Sequence, residues 1–538
     1  MRWGNALGLV MLRMTVAVGL MAGVAWSGDR PQWGEYGTRN NVSAEKNLPE
    51  WFDPGQVDPA TGDVDLTTTR NVKWVARLGG RTHGTPVIAE GRVLVGTSNH
   101  VPRDPRITED RGVLMCFDEK TGRFLWQLNV PKLHEYKWGD WDGIGLCASP
   151  AVENGRVYLV SNRCEIMCLD LAGMADGNDG PYKDEGRHMA GSGQPPLVPG
   201  PRDADILWLY DMVAELGVRP HNAANCSVLI HGDWLYVCTS NGVNAAHSAV
   251  TNPAAPTLIV VDKRTGRLVA VDDMNLGDNI IHGQWGSPAL GLVNGKWQIF
   301  FGAGNGYVYG FEALDPASIS DKPMKLKTIW KLNGHPLAQR QDHVPIEHRF
   351  RSSSYEVIAN PVFYENRLYV PVTQDVFHGM PDGWLLCIDP TKRGDITRTG
   401  IVWSFDTKST CSTVAIADGL VYLPNQRGKF YCLDARSGKL YWTMDLGPKV
   451  WGSPLVADGK VYIGAGGRRT LWILAHGREP KVLSQIRMPS PILNTPAAAN
   501  GVLYVATWRH LYAIQGSEKN PKARIGHSGL STREKEGP

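Results

Sequence analysis

The sequence predicts an all-β fold, an eight-bladed β-propeller of four-stranded antiparallel blades. A first observation is a repeated phrase at 149–160 and 453–464, in which an apolar strand, an Asn/Asp-Gly turn and a second alternating strand follow one another. A second is a strand ending in Leu-Asp or Phe-Asp, a Thr/Ser-Gly turn and a strand with Trp, as at 117–126 and 433–442. Four strands per unit, repeated at roughly 40 residues or more, are typical of a propeller.

The number of units sets the size of the ring. Eight units open with a Ser, Thr or Asn, most of them before Pro: Thr85, Ser149, Ser227, Ser287, Asn360, Thr413, Ser453 and Thr495. The last unit has only three strands and ends near Gln515. We therefore predict that the strand at 72–78, near the N-terminus, completes the eighth blade and closes the ring, which hides the sheet edges.

The chain divides into four predicted parts: a signal peptide (1–27), an irregular lead-in packed on the ring (28–70), the propeller (71–515) and a disordered tail (516–538). The apolar run at 14–25 precedes a small-x-small cleavage site at 25–27. Translation can start at Met1 or Met11. We expect an exported protein, periplasmic or extracellular, with no membrane span in the mature chain.

Charge excludes one class of partner. Lys and Arg number 56 against 53 Asp and Glu, which gives a net charge of +3, and no basic run occurs. Nucleic-acid binding is therefore not expected.

The nine cysteines fall into different settings. Four of them occupy equivalent third-strand positions in separate units. These positions are too far apart for a disulfide, so we interpret the four cysteines as small buried apolar residues. This group comprises Cys116, Cys168, Cys387 and Cys432. Cys226 and Cys238 flank the Gly232 turn, which leaves a disulfide across that hairpin open.

Tryptophan recurs in the fourth strand of the units, where we expect it to pack neighbouring sheets together. The series is Trp74, Trp126, Trp208, Trp330, Trp403 and Trp442, with Ala270 and Leu483 in the remaining two units.

Insertions and histidines favour one face of the ring. By strand order, the loops at 98–112, 131–146, 240–256, 275–286, 333–357 and 374–383 lie on one face, and only 171–205 lies on the other. Eleven of the 15 His map to the elaborated face: His83, His100, His134, His221, His247, His282, His335, His343, His348, His378 and His510. Either His simply occurs in loops, or these loops share a polar site.

Candidate ligand-binding residues lie where this face meets the axis. They are His221, Asn222, His247, His282, Gln284, Trp285, Asn305, Gln374, Asp375, His378 and Trp451. Aromatic rings with amides and imidazoles suit a planar or sugar-like ligand; the alternative is that polar loops pack on one another.

No catalytic residue and no metal site is predicted. The Asp-rich loop at 176–180 departs from a calcium loop, because Arg187 stands where a bidentate glutamate is needed. Cys164, Cys168 and His188 lack the spacing of a zinc knuckle.

These repeats resemble the pyrroloquinoline quinone (PQQ) repeat family over about residues 72–515. The phrases S-P-x-V-x-x-G-x-V-Y-V-G and L-D-x-x-T-G-x-x-x-W carry the resemblance, and the lead-in motifs at 32–34 and 39–43 resemble a secreted branch related to the outer-membrane assembly propeller. The family implies an eight-bladed, quinoprotein-like propeller. Its members are PQQ- and calcium-dependent dehydrogenases or scaffolds that bind protein partners.

Two functions follow from this resemblance. The chain has no adjacent Cys pair and no C-x-x-C-H motif, both of which occur among the dehydrogenases. We therefore expect an exported, non-catalytic scaffold, without cofactor, that binds a protein or carbohydrate through its His-rich face. The alternative is a PQQ-dependent dehydrogenase of an alcohol or sugar, which would use PQQ and calcium.

Overall fold

The computed structural model describes residues 28–133, 139–315, 320–339, 354–374 and 382–519. Within them the chain is an eight-bladed β-propeller whose blades each contain four antiparallel strands. This confirms the predicted fold class. The predicted signal peptide and most of the predicted tail lie outside the described residues.

Each blade begins with a short strand at the axis and ends with a longer one at the rim. Blade 1 contains Val87–Ala89, Arg92–Ser98, Arg111–Asp118 and Phe124–Pro131. Blade 2 contains Ala151–Glu153, Arg156–Val160, Glu165–Asp170 and Ile206–Asp211. Blade 3 contains Leu229–His231, Trp234–Cys238, Leu258–Asp262 and Leu268–Val271. Blade 4 contains Ala289–Val293, Lys296–Gly302, Tyr307–Glu312 and Thr328–Asn333.

The second half of the ring repeats this plan. Blade 5 contains Val362–Tyr364, Arg367–Thr373, Gly383–Ile388 and Ile401–Asp406. Blade 6 contains Ala415–Ala417, Leu420–Pro424, Lys429–Asp434 and Leu440–Asp445. Blade 7 contains Leu455–Ala457, Lys460–Ala465, Thr470–Ala475 and Val482–Arg487. Blade 8 contains Ala497–Ala499, Val502–Ala506, His510–Ile514 and, from the N-terminal side, Val72–Arg77.

A few short elements decorate the ring. Parallel two-residue strands extend three blades: Met324–Lys325 on blade 3, Gly394–Asp395 on blade 4 and Val42–Ser43 on blade 7. The remaining pair, Gln56–Val57 and Val64–Asp65, forms a hairpin in the lead-in. The helices are Glu185–Ala190 and Met212–Leu216, with 3-10 turns at Leu66–Thr68, Gly173–Ala175, Pro336–Gln339 and Gly466–Arg468. In the described part of the chain, none of these helices could cross a bilayer.

The ring closes as predicted. Val72–Arg77 pairs antiparallel with His510–Ile514 and supplies the fourth strand of blade 8. The backbone N–H of Leu78 extends the pairing by donating to the Arg509 carbonyl at 2.8 Å. The two ends of the propeller therefore share one sheet, which removes the open edges of an unclosed array.

A second closure runs around the axis. We call the eight residues that open the blades the collar. In each of them the backbone N–H donates to the side-chain oxygen of the collar residue in the next blade, at 2.7–3.3 Å. The order is Thr85, Ser149, Ser227, Ser287, Asn360, Thr413, Ser453, Thr495 and back to Thr85. Each opener must therefore carry an acceptor side chain, which explains why these positions are Ser, Thr or Asn.

The lead-in is bonded to all eight blades. In blade order, the bonded pairs are Arg30 with Ile88, Pro31 with Val152, Arg39 with Ser227, Gly37 with Leu290, Thr38 with Phe363, Asn40 with Ile416, Asn41 with Val456 and Ser43 with Ala498. All but one of these ring residues lie a few positions past the collar, towards the turn between the first and second strands. Residues 30–43 thus close the axial channel at the face opposite the predicted loop-rich one.

Arg39 is the centre of this closure. Its side chain is fully buried, and burial lowers the pKa of its guanidinium to about 10, which leaves it charged at neutral pH. The guanidinium donates to the carbonyls of Trp33, Ser227, Val228 and Pro288 at 2.7–3.2 Å. Backbone dipoles of blades 3 and 4 therefore solvate this charge in place of water.

The fourth-strand tryptophans join neighbouring blades, in agreement with the structural interpretation. Trp74, Trp126 and Trp208 are buried, and the indole N–H of each donates to a carbonyl just after the third strand of the next blade, at 2.9–3.2 Å. The indole of Trp74 packs closely against the turn between the third and fourth strands of blade 1. A Cβ on Gly122, whose φ is +72°, would lie 2.5 Å from the Trp74 indole.

The residue predicted to replace the fourth-strand tryptophan in blade 7 was wrong by one position. In blade 7 the position equivalent to the tryptophans is Ser484, which pairs with Ile473, and not Leu483. A register shift follows the same third-strand position in every blade, and in blade 7 it skips Leu483.

All nine cysteines are free thiols. The four third-strand cysteines are buried apolar residues, and each lies opposite a tryptophan. The possible Cys226–Cys238 disulfide is not formed, although the Cys238 N–H donates to the Cys226 sulfur at 3.1 Å. Since Cys226 precedes the strand Leu229–His231, the two residues are not partners in the hairpin ladder.

Candidate functional site

The axis holds a cavity of about 320 Å³, which we call the axial funnel. Its deeper wall is the collar, and all eight collar residues line it. The hydroxyl of a Ser or Thr here accepts one hydrogen bond from the ring and keeps a proton that it can donate. The collar thus presents a band of hydroxyls and one amide.

A second ring stands above the collar, towards the loop-rich face. It is formed by the residue two positions before each collar residue, just ahead of the first strand of each blade. We call these eight residues the upper ring: His83, Cys147, Asn225, Trp285, Ile358, Cys411, Trp451 and Leu493. All eight line the funnel. Unlike the collar, this ring differs in chemistry from blade to blade.

Two more tryptophans line the funnel, Trp33 at its closed end and Trp141 at its loop-rich end. Trp33 of the lead-in lies in the lining, and its carbonyl accepts from Arg39. Trp141 and Ile144, from the loop joining blades 1 and 2, line the funnel near the upper ring, as does Asn222 from the loop joining blades 2 and 3. The funnel is therefore closed below and reached through the elaborated loops.

The described lining carries no Asp, Glu, Lys or Arg. Burial, together with the nearby positive charge of Arg81, lowers the pKa of His83 to about 4, so its imidazole is neutral near pH 7. Burial raises the pKa of Cys147 and of Cys411 to about 12, which keeps both thiols protonated. Among described residues the funnel is polar and aromatic but uncharged.

His83 makes the stability depend on pH. Its pKa is lowered in the folded state, so between about 6.5 and 4 the unfolded chain binds a proton that the folded chain does not. Stability is therefore lost as the pH falls through that interval. We expect His83→Gln to show a smaller drop in melting temperature than wild type between pH 7 and pH 5, measured by calorimetry. Equal drops would show that His83 is protonated in the fold.

Three histidines meet beside the funnel. Each of His221, His247 and His282 can place a ring nitrogen within 4.8 Å of the other two. Their ring centroids are 4.6–4.9 Å apart and the rings meet edge to face. His221 and His282 are buried and His247 is half-buried. We call this group the His cluster.

Three loops around blade 3 supply the histidines of the cluster. His221 lies between blades 2 and 3, His247 in the loop within blade 3, and His282 between blades 3 and 4. Gly242 allows the loops to cross, because a Cβ there would lie 2.7 Å from the Cβ of His221 and 2.9 Å from the His282 carbonyl. The backbone N–H of Val243 donates to that carbonyl at 2.9 Å.

Trp285 connects the cluster with the funnel. Its indole N–H donates to the His221 carbonyl at 3.1 Å, and its ring meets His282 edge-on at 4.9 Å. Asn222 lines the funnel and also lies 3.4 Å from the Nε2 of His282 through its side-chain nitrogen. The two features therefore share a wall.

The predicted site residues divide into groups. Asn222, Trp285 and Trp451 line the funnel, and His221, His247 and His282 form the cluster. Gln284 and Asn305 do not line the funnel: Gln284 donates to Asn241 and Thr257 at the loop within blade 3, and Asn305 donates to Tyr309 in its own hairpin. Gln374 is buried in blade 5 and accepts from Asp382. Asp375 and His378 lie outside the described residues.

Sequence reasoning missed most of the funnel. Trp33 and Trp141 lie in segments without a repeat, and the Ser, Thr and Asn of the collar served only to count units. The available signal was position: the residue two before each opener faces the axis in all eight units. Only Trp285 and Trp451 of that ring were selected.

Side chains of the two weak metal motifs bond to other protein groups. The side chain of His188 contacts Glu165 at 3.1 Å, while the Cys164 sulfur donates to the Thr239 carbonyl in blade 3. In the Asp-rich loop, the Asn178 side chain donates to Glu185 and binds Lys183.

Comparison with known proteins supports the PQQ-repeat resemblance. Residues 382–480 match a family model described as outer membrane protein assembly factor BamB. No curated protein matches the chain at the sequence level.

Solved structures are similar to this chain at low sequence identity. A europium-containing methanol dehydrogenase is 11% identical, with a TM-score of 0.54 and 89% of each chain covered. BamB from Moraxella catarrhalis is 12% identical, with a TM-score of 0.47 over 85% of this chain and 99% of that chain. Quinohemoprotein alcohol dehydrogenase from Comamonas testosteroni is 12% identical, with a TM-score of 0.44 over 94% of this chain and 83% of that chain. At 11% identity, the likeness to the methanol dehydrogenase concerns the fold alone.

The described part of the funnel lining lacks the charged groups that PQQ would need. This quinone is a planar polycarboxylate, and its dehydrogenases hold it with calcium, so it needs cations around it and carboxylates for the metal. The described lining offers neither. The match over 382–480 agrees with the resemblance seen in the sequence: this chain is an eight-bladed propeller, and one segment of its ring matches a model of the PQQ-repeat type.

Proposed function

We propose that this chain is an exported, non-catalytic propeller that binds a neutral carbohydrate in the axial funnel. The observation that carries the proposal is the uncharged double ring of the collar and the upper ring. Export rests on the N-terminal apolar run and its cleavage site.

The chemistry of the lining favours a sugar over a charged ligand. A carboxylate or ammonium group would lose its hydration in the funnel without gaining an opposite charge from the described lining, which is costly. A sugar instead loses hydroxyl hydrogen bonds to water, which collar hydroxyls and the amides of Asn222, Asn225 and Asn360 can replace.

The aromatic residues supply the apolar part of the contact. Trp33, Trp141, Trp285 and Trp451 all line the funnel. An indole offers a large rigid face at little cost in side-chain entropy, and such faces suit the C–H side of a pyranose ring. The cavity of about 320 Å³ lies at the lower end of the range for small-molecule sites, about 300–1,000 Å³. One sugar ring or a short oligosaccharide end fits this size.

Titration with a panel of neutral oligosaccharides, followed by tryptophan fluorescence, tests the proposal. We expect at least one to bind saturably at one site per chain. Trp451→Ala should weaken that binding by about tenfold or more, since a lost aromatic contact costs about 1–2 kcal/mol. Trp297→Ala is the matched control, because Trp297 is 44% exposed and outside the funnel, and it should leave the affinity unchanged.

Two results would contradict the proposal. One is equal affinity in Trp451→Ala and wild type. The other is stoichiometric binding of PQQ with Ca²⁺ and dye-linked oxidation of an alcohol or sugar, which would establish a dehydrogenase.

A further inference from the structure

The His cluster has the composition of a transition-metal site. Among the residues that the structure describes, it contains three imidazoles and no carboxylate or thiol. Imidazole nitrogen is a ligand for Zn²⁺, Cu²⁺, Ni²⁺ and Fe²⁺, whereas Ca²⁺ and Mg²⁺ need oxygen ligands. The residue types therefore select one class of ion.

The spacing of the nitrogens also suits a metal. The Nε2 atoms of His221 and His247 lie 3.0 Å apart. Two nitrogens bound to one tetrahedral Zn²⁺ at about 2.0–2.1 Å are about 3.3 Å apart. The third histidine lies within 4.8 Å of both, so small side-chain rotations bring all three nitrogens onto one ion.

One imidazole is already oriented for binding. The Nδ1 of His221 lies 2.8 Å from the Val243 carbonyl, which can only accept, so Nδ1 carries the proton. In the neutral ring the lone pair is then on Nε2, which accepts a hydrogen bond from the Nε2 of His247 that a bound metal ion would displace. A hydrogen bond from the far ring nitrogen to a carbonyl is the usual way in which proteins fix a metal-binding histidine.

The loops hold the cluster in place. Gly242 lets the three loops approach, the Val243 N–H is bonded to the His282 carbonyl, and Trp285 packs on His282. His247 has a φ of +52°, a left-handed conformation that His, Asn and Asp adopt more readily than most residues.

We propose that His221, His247 and His282 bind one divalent first-row transition ion, Zn²⁺ or Cu²⁺. Three protein ligands leave a coordination position for water or for a ligand group. Because Asn222 and Trp285 belong to both the cluster surroundings and the funnel wall, the ion lies next to the funnel. The site does not depend on the funnel binding a sugar.

The test uses the full mature chain, purified without a histidine tag and treated with chelator. Isothermal titration with Zn²⁺ should give one site per chain, and Co²⁺ should give a visible absorption band that Zn²⁺ abolishes. His247→Asn removes one ligand and keeps a residue that tolerates positive φ. We expect its Zn²⁺ affinity to fall about 100-fold or more, beyond the 10–100-fold typical of lost outer-shell contacts.

His231→Ala is the matched control. His231 belongs to blade 3 and packs on Trp297 at 5.2 Å, outside the cluster, so its loss should leave Zn²⁺ binding unchanged. Thermal unfolding without metal checks that each variant folds. The proposal is overturned if wild type binds no Zn²⁺ stoichiometrically, or if folded His247→Asn binds it as tightly as wild type.

Discussion

A chain lacking residues 71–78 is expected to lose its single cooperative unfolding transition. This deletion removes the fourth strand of blade 8, which pairs with His510–Ile514 along its whole length. It also removes Trp74, which is 4% exposed and bonded to the Glu119 carbonyl in blade 1. Blades 1 and 8 then separate and both expose unpaired edges. Differential scanning calorimetry should show a broad, low-enthalpy transition.

Deletion of residues 57–64 provides the matched control. Like the first deletion it removes eight residues, but these belong to the lead-in and to the exposed hairpin of Gln56–Val57 and Val64–Asp65. Its contacts with the ring include the Thr61 carbonyl with Arg77, the Gly62 carbonyl with His510 and the packing of Val64 at the edge of the core, but it supplies no strand of a blade. The control should unfold cooperatively within a few degrees of wild type. If the 71–78 deletion melts in the same way, closure by the N-terminal strand does not stabilise the ring.

Arg39→Ala is expected to reduce the free energy of unfolding by about 3–5 kcal/mol. Four hydrogen bonds from the guanidinium are lost, and carbonyls of blades 3 and 4 remain buried without that donor. The gain from no longer burying a charge offsets part of this loss. Urea unfolding followed by tryptophan fluorescence measures the change.

Two further variants separate charge from geometry. Arg39→Lys keeps the positive charge but lacks the planar fork that reaches several carbonyls at once, so we expect it to recover less than half of the loss. Arg427→Ala removes an exposed arginine and should change stability by about 0.5 kcal/mol or less. A loss below about 1 kcal/mol for Arg39→Ala would contradict the role of Arg39 as the centre of the axial closure.

Repeats made the ring predictable. The eight openers and the incomplete last unit gave the number of blades and their closure, because a strand that lacks a partner must find one. The lead-in had no such pattern. Arg39 and Asn40 bind carbonyls and amides of distant blades, and such contacts leave no local periodicity in the sequence.

The candidate site was only partly predictable, for a related reason. Trp285 and Trp451 stood out because two units share an indole at the same place, whereas His83 and Cys147 occupy equivalent positions with unlike chemistry. The His cluster joins loops of different length, so its assembly depends on a crossing at Gly242. Asp375 and His378 remain predictions.

The contacts of the lead-in also constrain the order in which the chain can fold as it is synthesised. Asn41 binds the Pro454 carbonyl, 413 residues away, and Val72–Arg77 can pair only after His510–Ile514 has been synthesised. A nascent chain on the ribosome therefore carries the strand Val72–Arg77 unpaired until residues 510–514 have been made. Contacts of such sequence separation slow folding and prolong the exposure of aggregation-prone edges. Translocation in an unfolded state would suit this architecture, because the ring needs both ends in the same compartment before it can form.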